Sequence, residues 1–358
     1  MERFCCPTKI ISGPGAIQEL KNLNIRRLLV VTDPYFEKNG YGARIAAFSE
    51  QAEIFSGVCP DPTVEQIAVG TAAVKAFKPD AVVALGGGSA MDCAKAMVWF
   101  SGVKARLIAI PTTSGSGSEV TDFAVVTHDG IKHPLIDKTL LPEVAILDSD
   151  LLEQLPKRLI ADTGFDVLAH ALEAYTAKNA GAISDALARE AFCTAFADLP
   201  ASYNGKLEVR GRIHTAATMA GMAFSQAGLG LCHAFSHALG GMFHVPHGRL
   251  NAILLPAVVE LNAPYCQKKY ARMARSAGLG GSADTVAVRN LKNGLLRLRK
   301  ELELPGTLAQ AGIEPRQVQR SAAELIKNVK ADPCFATNPC APEDFMLYGL
   351  LEEVTGRV

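Results

Sequence analysis

The chain has 358 residues, 49% apolar and 20% charged, enough for two domains of ordinary globular composition. Thirty-six basic residues balance thirty-six acidic ones. That balance argues against a protein built to hold nucleic acid or an anionic membrane surface. Nine cysteines contain no CxxC pair and are odd in number, which points to a reducing, cytoplasmic setting and not to a disulfide framework.

The opening Met-Glu-Arg-Phe-Cys-Cys-Pro lacks the apolar run of a signal peptide; no role follows for Cys5 and Cys6. Residues 1–152 then alternate strand-like and helix-like segments. The runs 27–32 (RLLVVT), 81–85 (AVVAL), 107–110 (LIAI) and 144–147 (VAIL) are short, apolar and bounded by turn residues, as buried strands are. Segment 64–77 reads as a helix. Strands separated by helices predict a mostly parallel sheet with ligands outside the carboxyl ends of its strands.

Two glycine- or serine-rich turns follow successive strands. After AVVAL comes Gly86-Gly87-Gly88-Ser89, and after LIAI comes Pro111-Thr112-Thr113-Ser-Gly-Ser-Gly-Ser-Glu119. Glycines let backbone amides approach a phosphate, and a following helix N-terminus adds positive potential. Ser89/Asp92 and Ser116/Glu119 also have capping-box spacing. Either turn alone could be simple strand-to-helix punctuation; two in succession favour phosphate binding. The G-x-G-x-x-G fingerprint is absent. Asp33, at the end of RLLVVT, suits a ribose-binding acid that favours NAD over NADP, or equally a helix cap.

Residues 153–358 read as an all-helical domain rich in Ala and Leu. The weakly charged stretch 215–235 reads as one buried helix, too interrupted by Ser225, Gln226 and His233 to span a membrane. Asp166 and His170 are four apart, as are His233 and His237, so each pair shares a helix face. Gly240-Gly241 is expected to turn the chain before Val245-Pro246-His247. His214, alone, reads as a core histidine. One carboxylate with several imidazoles in an apolar helical setting forms a Lewis-acid site for a divalent ion, Fe²⁺ or Zn²⁺. The active site is expected in the cleft between the domains.

GGGSAMD, PTTSGSGSEV, TGFDVLAHALEAY and GLGLCHAFSHALGGMFHVPHG together resemble the iron-containing alcohol dehydrogenase family, in the right order and over essentially the whole chain. The resemblance implies the dehydroquinate synthase-like fold, an α/β nucleotide-binding domain followed by a helical one. It implies metal ligands Asp166, His170, His233 and His247, with His237 beside the metal as a proton-transfer group. Cofactor contacts would come from Asp33, Gly87, Gly88, Ser89, Thr112, Thr113 and Lys132. His244, three residues before a ligand, would line the cleft or serve as an alternative ligand.

SAMDCAKAMVWFS, KHPL, GMAFSQAGLGL and TNPCAP narrow the resemblance to the 1-propanol dehydrogenases of propanediol-utilising bacterial microcompartments. That implies NADH-linked reduction of propionaldehyde or acetaldehyde, a partner aldehyde dehydrogenase, a homodimer or larger homo-oligomer, and a cytoplasmic or encapsulated location. The rivals are a glycerol or polyol dehydrogenase on the same fold and a catalytically silent NAD-binding scaffold. Phe123, Phe165 and Phe243 would wall the substrate pocket or simply pack the core.

Overall fold

The computed structural model describes residues 4–128 and 131–356, without the side chains of Ile131 and Lys132. The chain divides into two compact units, one running from Cys5 to Leu155 and the other from Pro156 onward. Among the described residues, no helix is long and apolar enough to cross a membrane.

The first unit is built on a six-stranded, all-parallel sheet. Its strands are β1 (Lys9–Ser12), β2 (Arg27–Thr32), β3 (Gln51–Phe55), β4 (Ala81–Gly86), β5 (Arg106–Pro111) and β8 (Val144–Leu147), ordered β1-β8-β5-β4-β2-β3. The four expected strands form its interior. Their side chains alternate between two cores, Leu29, Val31, Val82 and Ala84 on one face and Leu28, Val30, Val83 and Leu85 on the other. A sheet covered on both faces needs apolar residues at every position, hence the unbroken apolar runs.

Helices α1 (Pro34–Lys38), α2 (Tyr41–Ala46), α3 (Val64–Phe77) and α4 (Gly88–Ser101) connect these strands, and an antiparallel hairpin, β6 (Phe123–His128) with β7 (Ile131–Ile136), lies outside the sheet. Strands β1 and β3 and the hairpin were not foreseen. The two strands are sheet edges with mostly exposed residues, so they lack the apolar run that marks their neighbours.

The second unit is helical: α5 (Lys157–Thr176), α6 (Ala182–Tyr203), α7 (Arg210–Ala227), α8 (Leu231–Phe243), α9 (His247–Ser276), α10 (Asp284–Glu301), α11 (Pro315–Ala331), α12 (Pro333–Thr337) and α13 (Asp344–Thr355). The stretch 215–235 is not one helix. It breaks after Ala227 at Gly228, whose φ of 82° ends α7, and α8 starts afresh at Leu231. Two glycines within three residues remove the side chains that would have favoured a continuous helix. The break creates a new helix N-terminus, which the functional site uses.

Candidate metal centre and nucleotide loops

The loops of the first unit leave the carboxyl ends of three adjacent strands, where Thr32 pairs with Leu85 and Gly86 with Pro111. Gly86 adopts φ 151°, and a Cβ there would stand 2.6 Å from that of Ala90; no other residue fits. Helix α4 then begins at Gly88 with Gly87 as N-cap and no side-chain cap. The expected Ser89/Asp92 capping box therefore does not form, because glycine flexibility lets the helix start two residues earlier. Its first amides are left for an outside acceptor, the arrangement that binds phosphate. The Ser116/Glu119 box is also absent: only a short 3₁₀ turn, Ser118–Val120, follows Gly117.

The two loops touch. A Cβ on Gly87 would meet Thr113 Oγ1 at 3.1 Å, and one on Gly88 would meet the Ser116 Cβ at 3.3 Å. Thr112 donates its backbone N–H to the Gly86 carbonyl at 2.9 Å, and its buried hydroxyl has no hydrogen-bond partner among the described residues. Asp33 is the helix cap: Oδ1 accepts from the amides of Tyr35 at 2.9 Å and Phe36 at 3.1 Å. Its other oxygen lies beside the triple-glycine turn, 3.8 Å from where a Gly86 Cβ would be. Lys132 has its backbone in β7 opposite Thr127; its side chain lies outside the described residues.

In the helical unit, Asp166, His170, His233 and His247 offer one donor atom each, all within 4.8 Å of one another. Asp166 Oδ1 stands 3.9 Å from His170 Nε2, 3.7 Å from His233 Nε2 and 3.5 Å from His247 Nε2. Donors held roughly 2.1 Å from one tetrahedral ion are separated by about 3.4 Å. The four therefore fit a single divalent cation with little movement. Helix α5 supplies two of them from one face, α8 supplies His233, and His247 is the first residue of α9.

Electrostatics support this reading. Burial opposes the charge on Asp166, yet the imidazoles of His170, His247 and His233 hold its carboxyl below the usual carboxylate range. Burial also opposes the charge on His233, but the carboxylates of Asp166 and Glu173 outweigh it and push the imidazole up to about 9. Burial holds His247 well below its ordinary value. A carboxylate kept ionised among closely packed imidazoles is the donor chemistry of a cation site.

Two supporting carboxylates were not foreseen. Glu173 Oε2 lies 2.6 Å from His233 Nδ1, which turns His233 Nε2 towards the other donors. Its oxygens also accept from the amides of Gly230 at 3.0 Å and Cys232 at 2.6 Å, capping the new N-terminus of α8. The second is Asp332, whose Oδ2 lies 2.8 Å from His237 Nδ1. Glu173 follows His170 by three residues, one helical turn, and that spacing is its only sequence signal. Asp332 carried none, being 95 positions from its partner.

His237 stands beside the four donors, its ring stacked 5.2 Å from that of His247, but outside their group. Gly240 and Gly241 do not turn the chain; both lie within α8, and the turn comes at His244, which caps the helix with φ 55° and ψ 32°. Val245-Pro246 follows it, and proline cannot continue a helix. His244 is exposed and outside the clustered donors. His214 is buried in α7, likewise apart from the cluster. Phe165 is fully buried on α5 and belongs to the core.

A chain with phosphate-ready loops on a parallel sheet and a one-carboxylate, three-imidazole centre on helices has the parts of a metal-dependent dehydrogenase. Comparison with known proteins agrees: residues 7–149 match the family described as iron-containing alcohol dehydrogenase, and residues 160–354 match the C-terminal part of the Fe-containing alcohol dehydrogenase family. The protein belongs to the iron-containing alcohol dehydrogenase family and is an oxidoreductase. It is similar to a 1-propanol dehydrogenase of Citrobacter freundii, 40% identical over 370 residues that cover 99% of this chain and 100% of the relative. An NADPH-dependent butanol dehydrogenase of Clostridium saccharobutylicum is 36% identical, covering 95% and 94% of the two chains. Among solved structures, an iron-containing alcohol dehydrogenase from Thermococcus thioreducens superposes with a TM-score of 0.92 at 32% identity, over 98% of this chain and 99% of that one. A 1,3-propanediol oxidoreductase superposes with a TM-score of 0.93 at 28% identity, over 99% and 100%.

Proposed function

We propose that this protein reduces a short-chain aldehyde, propionaldehyde or acetaldehyde, to the primary alcohol with NADH. The observation that carries the reading is the convergence of Asp166, His170, His233 and His247 on one point. These four would hold a divalent ion, Fe²⁺ in keeping with the family and Zn²⁺ as the substitute that imidazole and carboxylate also accept. Bound there, the ion supplies Lewis-acid polarisation of the carbonyl oxygen, while the nicotinamide supplies hydride.

The chain's own residues do the rest. The amides at the start of α4, with Ser89 and the hydroxyls of Thr112 and Thr113, bind the cofactor's phosphates, and Gly87 and Gly88 allow their close approach. Lys132 adds a cofactor contact in this reading. The carboxylate of Asp33 accepts from ribose hydroxyls and disfavours a 2′-phosphate, which selects NAD. Asp332 fixes the ring of His237 through Nδ1, leaving Nε2 as the nitrogen that holds or passes the proton consumed when the alcohol forms.

The similarity to 1-propanol dehydrogenases supports propionaldehyde as substrate, an aldehyde dehydrogenase as partner, and a cytoplasmic location inside a microcompartment. Assembly as a homodimer or larger homo-oligomer is part of the same reading. The 1-propanol and butanol dehydrogenases among the relatives favour a monohydric alcohol over a polyol, and a silent scaffold has no use for a complete ligand set.

The test is NADH oxidation with C2 to C4 aldehydes, and NAD reduction with glycerol, after anaerobic loading with Fe²⁺ or Zn²⁺. Turnover should be highest with short aldehydes, and His233→Ala should lose metal and turnover together. Full turnover by metal-free His233→Ala, or a preference for glycerol, would overturn the proposal.

A further inference from the structure

The helical unit contains a cavity of about 1040 Å³ that none of the four clustered donors lines. It is walled by Lys157, Arg158, Arg249, Arg299 and Lys300, with Glu303 as the one carboxylate. In a chain of zero net charge, that is a strong local excess of positive charge.

One of the five cations is already engaged by a carboxylate. Arg249 is held by a buried carboxylate, with Nε and Nη2 at 3.2 and 2.6 Å from the oxygens of Asp162. The carboxylate of Glu303 faces the hydroxyl of Tyr203, whose ring also carries the Lys157 ammonium at 5.1 Å. Among the described residues, none of Lys157, Arg158, Arg299 and Lys300 forms an ion pair. Arg299 is half-buried, and the hydrogen bond it makes is from Nη1 to the Ala252 carbonyl at 3.3 Å. Taking a guanidinium out of water against a single carbonyl is costly unless an anion completes its shell.

Helix electrostatics explain only part of the cluster. Arg299 and Lys300 occupy the last turn of α10, where the helix dipole favours cations. Lys157 and Arg158 occupy the opposite situation. They open α5, a 20-residue helix with no acidic residue in its first turn and no side-chain cap, so they add positive charge where the dipole is already positive. An anion in the cavity would compensate both the four side chains and those uncapped amides.

We propose that this cavity is a binding site for a phosphate-bearing small molecule, apart from the metal centre and the nucleotide loops. Guanidinium forks beside ammonium groups suit phosphate oxygens. The cavity lies at the upper end of the roughly 300–1,000 Å³ common for small-ligand sites. Its wall is also continuous with the metal centre in sequence. Arg249 comes two residues after His247, and its partner Asp162 lies one helical turn before Asp166.

The test is isothermal titration calorimetry of the metal-loaded protein in excess NADH, which keeps the nucleotide loops occupied, with fructose 1,6-bisphosphate and, separately, orthophosphate as probes. Binding should weaken as ionic strength rises. The exposed double variant Arg158→Gln, Lys300→Gln should bind at least tenfold more weakly with an unchanged melting temperature, and Arg299→Gln should weaken binding as well. Tighter binding of the bisphosphate would assign two phosphate subsites, equal binding one. No binding by the wild-type protein at low salt, or unaltered affinity in the double variant, would overturn the proposal. The heat of binding is read without turnover, so this result and the aldehyde assay fail separately.

Discussion

Glu173 on α5 and His233 on α8 meet at 2.6 Å, Oε2 to Nδ1, across 60 residues of chain. The contact does two jobs at once. It sets the tautomer and direction of an imidazole in the four-donor cluster, and it places a carboxylate on the N-terminus of the helix that carries it.

Glu173→Gln should therefore weaken metal retention by about 10- to 100-fold, the usual cost of losing such a supporting group. The amide that replaces one oxygen would face backbone donors at Gly230 and Cys232. Dialysis against graded chelator followed by elemental analysis reads the effect. Wild-type retention would show that the carboxylate does not orient His233.

Gly230→Ala should destabilise the helical unit by about 1–3 kcal/mol, as overpacking of a tight interior does. Its Cβ would stand 2.8 Å from Glu173 Oε1 and 2.9 Å from Asn338 Oδ1. Chemical denaturation of the metal-free protein measures this directly, and metal retention should fall alongside.

Asp33→Asn should shift cofactor preference towards NADPH by about tenfold or more, since juxtaposing like charges costs several kcal/mol. The amide oxygen keeps the acceptor that caps α1, so the melting temperature should hold. The ratio of kcat/KM for NADH and NADPH is the measurement; an unchanged ratio would leave Asp33 as a helix cap alone.

Lys95 is buried beneath the hairpin end of the first unit and donates to the carbonyls of Thr121 and Phe123, both at 2.8 Å. Burial lowers its pKa to about 8, despite the nearby carboxylates of Asp92, Glu119 and Asp122. Because the folded value lies below the unfolded one, the unfolded chain binds more protons between about pH 8 and 10.5, and stability rises with pH across that window. The penalty is fully present below about pH 8 and amounts to roughly 3 kcal/mol at most. Lys95→Met should remove the rise, seen by comparing denaturation curves at pH 7.5 and 10 for both proteins, where about one pH unit is worth 1.4 kcal/mol.

The parts of the protein legible in the sequence are those governed by local periodicity. Apolar runs marked the four interior strands because both of their faces are covered, and the four-residue step put Asp166 and His170 on one face of α5. The same step paired His233 with His237, but the tertiary structure sent them to different tasks, His233 to the donor cluster and His237 to Asp332. Spacing alone does not separate the two. Chain direction around glycine does not follow composition at two places. Gly228 breaks a helix that composition favoured, and Gly240-Gly241 continues one that composition argued against. A glycine permits a turn without requiring it, so packing decides.

What the sequence alone determined was the inventory: a parallel sheet, two loops able to take phosphate, and a helical half carrying one carboxylate among several imidazoles. Tertiary structure decided which of those groups meet. Glu173 reaches His233, Asp332 reaches His237, and four cations that form no ion pair among the described residues line one cavity, because contacts between distant segments depend on how helices pack and leave no periodic trace in the chain.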